Sequence, residues 1–369
     1  SVGGQQRARR LGVMGGAGTA TPGQFYEIFD EVQADELFVQ GSELALMLRK
    51  GLEAGRLLGF QPSIWAAGLA DPAGTAATFT ITVATGTAAA GGSILFSIAG
   101  RKLSAGVTLG DDQTAIAAAI VAAIDENLPN LPVTASSALG VVTLTLNYTG
   151  VNGNDLKVTV DDVGLIGLAV TPAAAVAGTG AALIATALST SLAKFFETKA
   201  IANHTTADIT ALQAHLDIAW GGDEKKWNFA FMAETGTLSA GNTLASTAND
   251  HRIVIATYED CPQLTGEIAM MLAVITSARE QPNYNWDFEE FPCAVPPDAS
   301  VYTSTEVESA LAAGSTPLKP NDSRSRSQVV RMITTKTLEG GNPFELKGPD
   351  GKYLPDVLLD LDYWALMPV

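Results

Sequence analysis

Few residues in this chain have the types and spacing that could do chemistry. Gly15 to Gly23 (GGAGTATPG) follows an apolar run, where a phosphate-binding loop would stand. Such a loop needs glycines that let backbone N–H groups approach the anion, and a helix that starts at once. Here Thr21 takes the third glycine position of G-x-G-x-x-G and Pro22 follows, so the helix context is missing. His204, His215 and His251 form neither H-x-x-x-H nor H-E-x-x-H, and they read as surface or structurally satisfied side chains. No serine lies in a G-x-S-x-G elbow. Glu289 and Glu290 adjoin on a strand-like run and so point to opposite faces. Asp360 and Asp362 share a face and read as a solvated strand surface. Cys261 and Cys293 lack zinc or disulfide-framework spacing, which reads as reduced, partly buried thiols. These patterns imply no catalytic constellation, no cofactor and no metal site.

The composition narrows the partners further. Of 369 residues, 39 are Asp or Glu and 22 are Lys or Arg, a net charge of −17. That balance repels phosphate backbones, and the dense basic cluster Arg7 to Arg10 reads as a solvated terminus, so nucleic acid is not expected as a partner. No apolar run approaches the roughly 18 residues of a membrane span, and no membrane insertion is expected. The N-terminus lacks a signal-peptide pattern, and the opening at Ser1 without Met reads as a trimmed fragment.

The elements that would position any site follow from the periodicity. Ile253 to Ala256 has the length and β-branched content of a buried strand, and Leu264, Ile268, Met271, Leu272 and Ile275 then recur at helical spacing. Pro282 stops that helix. Phe288 to Val295 reads as the next strand, completing a strand–helix–strand unit. Near the start, residues 9–14 read as a strand, Phe25 to Val32 as another, and Ser42 caps a helix that Gly59 ends. Residues 62–69 read as the strand that follows. From Thr75 the chain changes to Thr-, Ala-, Gly- and Val-rich segments with period-two alternation: residues 78–84, 93–99, 141–148 and 155–162. One helix interrupts them, capped by Asp112 and striped by Ile116, Ile120 and Ile124. Residues 173–190 look flexible, and helices are expected over 189–199, 206–220 (capped at Thr205 or Thr206) and 239–249. Trp227 to Met232 reads as a buried strand, and Asp298 to Ser325 as a long polar loop. The expected fold is an α/β core with a mixed sheet flanked by helices, plus an inserted small antiparallel β-rich domain with one helix. The expected boundaries are 1–74 and 173–369 for the core and 75–172 for the insert.

Four passages resemble the tail sheath proteins of contractile phages, the Mu-like branch in particular. They are residues 40–74, the insert passages 78–135 and 140–158, the unit opening HRIVIATYED at His251, and residues 331–364, which resemble the branch's Arg-x-Ile-Thr-Thr … Asp … Leu-Asp-Tyr pattern. The resemblance implies a structural protein without enzymatic activity, on a core that is subtilisin-like in fold only. It implies subunits stacked in six-fold rings around a tail tube protein, between baseplate and tail terminator proteins. Such subunits contract to drive the tube through the bacterial envelope. The location implied is the virion tail, with assembly in the host cytoplasm, and the insert would face outward. Family members continue past the Leu-Asp-Tyr strand into a further domain and arms, so this chain by itself is expected to be monomeric.

Two other readings stand beside this one: an α/β ligand-binding enzyme that uses the Gly15–Gly23 loop, and a β-rich surface adhesin. A subunit-contact patch is expected at Lys319, Arg324, Arg326 and Arg331, which are unusually basic for this chain and suited to an acidic neighbour.

Overall fold

The structure, a computed structural model, describes residues 10–16, 20–60, 62–70, 72–161, 167–226, 228–278, 287–339 and 342–343. Outside them lie Arg7, Arg9, residues 17–19 of the glycine loop, Pro282, and the closing passage with Asp360 and Asp362.

The chain opens with β1 (Arg10–Gly16), β2 (Phe25–Ile28), α1 (Glu31–Phe38), α2 (Glu43–Leu58) and β3 (Ser63–Leu69). Phe25 to Val32 is not one strand: it stops at Ile28, and the Asp30 carboxylate accepts from the Gln33 N–H at 2.8 Å to cap α1. In α2 the expected ends hold. Ser42 Oγ accepts from the Ala45 N–H at 3.2 Å, and Gly59 closes the helix in the left-handed region at φ 65°.

The insert follows as β4 (Thr78–Val83), β5 (Gly92–Ile98), β6 (Arg101–Val107), α3 (Gln113–Asp125), β7 (Val133–Ala138), β8 (Val141–Leu146), β9 (Val158–Asp161) and β10 (Val170–Val176). Two antiparallel sheets form, in the orders β10-β4-β8-β7 and β6-β5-β9. Their inward residues, among them Ile81, Phe96, Val142 and Leu144, bury the Ile116, Ile120 and Ile124 stripe of α3, as the alternation predicts. Strands β6, β7 and β10 were not legible in the sequence. The two chain crossings at the base of the insert lie side by side: the Thr75 N–H donates to Thr179 Oγ1 at 3.1 Å, and the Thr179 N–H to the Thr75 carbonyl at 3.0 Å.

The second half adds α4 (Ala185–Ser191), β11 (Thr198–Ile201), α5 (Thr206–Trp220), β12 (Phe229–Glu234), α6 (Leu238–Ala248), β13 (Ile253–Thr257), α7 (Thr265–Ala278), β14 (Glu290–Phe291), α8 (Ser304–Ala313), β15 (Thr316–Pro320) and β16 (Ser327–Val329). A two-stranded pair, β17 (Leu338–Glu339) with β18 (Asn342–Pro343), comes last. The helix expected over 189–199 is displaced: α4 covers only its start and ends at Ser191. Thr198 to Ile201 is a fully buried strand between β1 and β12, where sheet pairing overrides local propensity. The polar loop expected from Asp298 contains α8 and β15. A capping box of Thr303 and Glu306 starts α8, and Thr316 to Leu318 are buried.

The large sheet runs β14-β16-β15-β13-β12-β11-β1-β3-β2. Its six inner strands, β15 to β3, are parallel, while β2, β16 and β14 each pair antiparallel with their neighbour. Both faces are apolar because both are covered. Val13, Ala200, Phe231 and Val254 face α2 and α7, while Met14, Ile201, Met232 and Ile255 face α4 and α5. Two expectations for the central unit change. Only Glu290–Phe291 of the 288–295 run forms a strand, and β15 and β16 lie between it and β13, so β13–α7–β14 is not a unit of adjacent strands. Helix α7 also has no wet face: residues 265–275 are all buried, because the sheet, α2 and the insert enclose it. Gly51 of α2 permits the close crossing, since a Cβ there would lie 2.1 Å from Met270 Cε.

Candidate functional site

The C-terminal ends of parallel strands are where open α/β sheets hold ligands. In this protein the residues gathered there are Glu43 at the start of α2, Asn203 and His204 after β11, Glu234 closing β12, Asp260 to Gln263 after β13, and Glu267 in the first turn of α7. The insert sits on them. Arg101 at the start of β6 makes a two-pronged ion pair with Glu267, one contact being Nη1 to Oε2 at 3.3 Å. Glu267 is 0% exposed, and the Gln263 side-chain amide also donates to it. Lys157 Nζ meets Asp260 Oδ1 at 3.0 Å, and Ser300 Oγ donates to the other oxygen at 2.8 Å; these bonds hold the Asp260 carboxyl below its ordinary range. Asn152 donates to Glu43 Oε1 at 3.0 Å and to Asn203 Oδ1 at 3.3 Å. Leu46 of α2 and Leu264 join the apolar core of the insert, so the contact is both packed and paired.

His204 stands at the middle of this seam. Its Nε2 lies 3.2 Å from Asp155 Oδ2 of the insert and 3.8 Å from Glu234 Oε2, and its Nδ1 is 3.1 Å from the Ala202 carbonyl. Burial works against the charged form, but the Asp155 carboxylate 3.2 Å away, the charge of Glu234 and the Ala202 carbonyl prevail, lifting the imidazole to about 9. That balance favours the imidazolium at neutral pH. The Tyr148 hydroxyl is buried nearby without a hydrogen-bond partner among the described residues, and burial together with Glu43, Asp155 and Glu267 raises it well above the usual phenol range. Chemically, the arrangement locks two bodies together.

The other sequence candidates lie elsewhere. His215 is buried with Nε2 3.4 Å from Ser191 Oγ, and burial, then Lys199 and Arg252, push it down to about 3. His251 packs edge-on to Trp220 at 5.3 Å. Gly15 is buried at the end of β1, and the left-handed Gly23 lies against α4. Cys261 and Cys293 are free thiols with Sγ atoms 3.7 Å apart; both are fully buried, where partial burial was expected, and burial pushes the Cys293 thiol well up. Among the described residues, no group of three His, Cys, Asp or Glu is placed to hold a metal ion, and no helix is long and apolar enough to cross a membrane.

Lys319, Arg324 and Arg326 come together on the β15–β16 hairpin at one edge of the large sheet, with Arg331 just beyond it. Arg324 pairs with Asp298 at 2.6 Å and donates to the Pro296 carbonyl at 2.9 Å, and Arg326 lies 3.9 Å from Glu290. Arg101, Asp155, Glu234 and Glu267 were not singled out in the sequence. Arg101 and Glu267 are 166 residues apart, and no local spacing links them.

The fold is that of a sheath tail protein. The one from Desulfitobacterium hafniense superposes with a TM-score of 0.50 at 15% identity, covering 96% of this chain and 77% of that one. The sheath tail protein of Listeria innocua gives a TM-score of 0.48 at 13% identity. In sequence the chain is a homologue of the Mu-like prophage FluMu tail sheath protein of Haemophilus influenzae, 28% identical over 270 residues. That match covers 69% of this chain and 52% of the relative, so the chain spans about half the length of the relative. No family model matches. A 39-residue stretch is 56% identical to the mesaconyl-CoA hydratase of Cereibacter sphaeroides; it covers 11% of each chain and carries no argument for hydration chemistry.

Proposed function

We propose that the protein is a structural subunit of a contractile tail sheath, not an enzyme. Its copies stack in six-fold rings around a tail tube protein, between baseplate and terminator proteins, and contract to drive the tube through the bacterial envelope. The insert, expected over 75–172 and running on through β10 to the Thr179 crossing, faces outward, and the place of action is the virion tail, after assembly in the host cytoplasm. The observation that carries this reading is the 270-residue match to a tail sheath protein, in a chain whose large sheet and insert follow the sheath tail protein fold. The seam supports it: a subunit that moves among its neighbours needs its two bodies coupled, and Arg101–Glu267, Lys157–Asp260 and His204–Asp155 couple them. Lys319, Arg324, Arg326 and Arg331 serve as a contact patch for an acidic neighbour, because copies at −17 repel unless basic patches meet acidic ones. Negative-stain microscopy of the full-length protein produced with its tail tube protein tests the reading. Sheath-like tubes are expected, and discrete particles under all assembly conditions would overturn it.

A further inference from the structure

We propose that His204 is a pH-sensitive latch that docks the insert on the large sheet, closed while the imidazole holds its proton and released when the proton leaves. The contacts suit the doubly protonated ring. Nδ1 faces the Ala202 carbonyl, which only accepts, and Nε2 faces the carboxylates of Asp155 and Glu234, which only accept when ionised. A neutral imidazole has one N–H and cannot serve both sides.

The surroundings make the proton matter. From α2, Glu43 approaches through Asn152, and from α5, Asp208 approaches through Asn203, whose side chain bonds Asp208 Oδ1 at 3.3 Å. Tyr148, just beyond β8, is a neutral phenol held protonated by burial. Along the rest of the seam, Arg101 neutralises Glu267 and Lys157 neutralises Asp260. Around His204, then, acids outnumber cations among the described residues, and the imidazolium faces both Asp155 and Glu234. Loss of its proton leaves an insert carboxylate against a sheet carboxylate in a buried setting, and the 151–155 turn lifts away. The upward push on the imidazole, to about 9, agrees with this geometry.

The test uses the folded full chain alone, so its outcome does not depend on sheath assembly. Imidazole NMR follows the proton, while hydrogen exchange of the 151–155 amides, corrected for the intrinsic pH dependence, follows docking. His204 is expected to stay charged through neutral pH. Opening of 151–155 should rise about tenfold per pH unit between 7 and 9 and then level off, the slope of one linked proton. His204→Gln keeps polar contact without a titrating charge and should flatten that slope. Asp155→Asn should flatten it too and move the imidazole toward about 6.5, its ordinary value. One of these variants suffices if the other does not fold. An imidazole that titrates near 6.5 in the wild type, or an unchanged tenfold slope in the folded variants, would overturn the proposal.

Discussion

Arg101→Met removes the guanidinium that Glu267 faces and leaves a carboxylate with 0% exposure. Stripping one partner from a buried pair costs about 3–5 kcal/mol, because the remaining charge keeps its desolvation penalty without its Coulomb partner. The Gln263 amide still donates to Glu267, so the loss should lie at the lower end, about 3 kcal/mol. At about 2–4 °C per kcal/mol for a large domain, Tm should fall by about 6–12 °C. Glu267→Gln costs less, about 1–2 kcal/mol, since the Arg101 side chain is 16% exposed and can turn to water. The double variant should regain most of the Arg101→Met loss, because two neutral side chains carry no buried charge. Urea unfolding of the four proteins, paired with calorimetry, measures this cycle. If Arg101→Met stays within about 0.5 kcal/mol of wild type, the range of an ordinary surface change, or if the double variant is no better than Arg101→Met, the seam is not held by this pair.

Gly51→Ala should destabilise by about 1–3 kcal/mol through overpacking against Met270, and the same change in a Met270→Ala background should cost much less, as read by urea midpoints. Both thiols should resist an aromatic disulfide reagent in the folded chain and react fully in denaturant, given their burial and the raised Cys293 thiol. At Asp250 burial raises the carboxyl, but hydrogen bonds and charge from Arg252 overcome it and hold it below the ordinary range. Its stabilisation is therefore present above about pH 4, the unfolded value, and is lost as pH falls through the depressed folded value. Asp250→Asn should be less stable at pH 7 and converge on wild type in acid, measured by melting across pH.

The sequence told most where a local rule and the tertiary structure agree. Ser42 and Gly59, Asp112 and Thr205 cap the helices they were expected to cap, and the alternation of Phe79, Ile81 and Val83 puts them on the buried face of β4. It failed where pairing partners lie far along the chain. Thr198 to Ile201 is short, carries Lys199 into the core, and becomes a strand because β1 and β12 flank it. Strand β6 begins with Arg101 and Lys102 and gives no clear strand signal until Glu267 and β5 are seen beside it. The contrast at His204 is similar. Its type suggested a satisfied structural histidine, and its partners Asp155 and Glu234 became visible only once the insert was placed.

The side-by-side crossings at Thr75 and Thr179 give the insert the topology of an exchangeable module. A chain that leaves and returns through adjacent strands can lengthen, shorten or be replaced without shifting the register of the nine-stranded sheet. The seam sets a condition on that freedom. Any replacement must bring polar partners to Glu43 and His204 and a cation to Glu267, or leave Glu267 buried without its counter-charge. The insert can therefore vary across relatives of this chain, provided a few base-proximal residues travel with it. Grafting an insert together with its Arg101, Asn152 and Asp155 equivalents is the practical form of that rule.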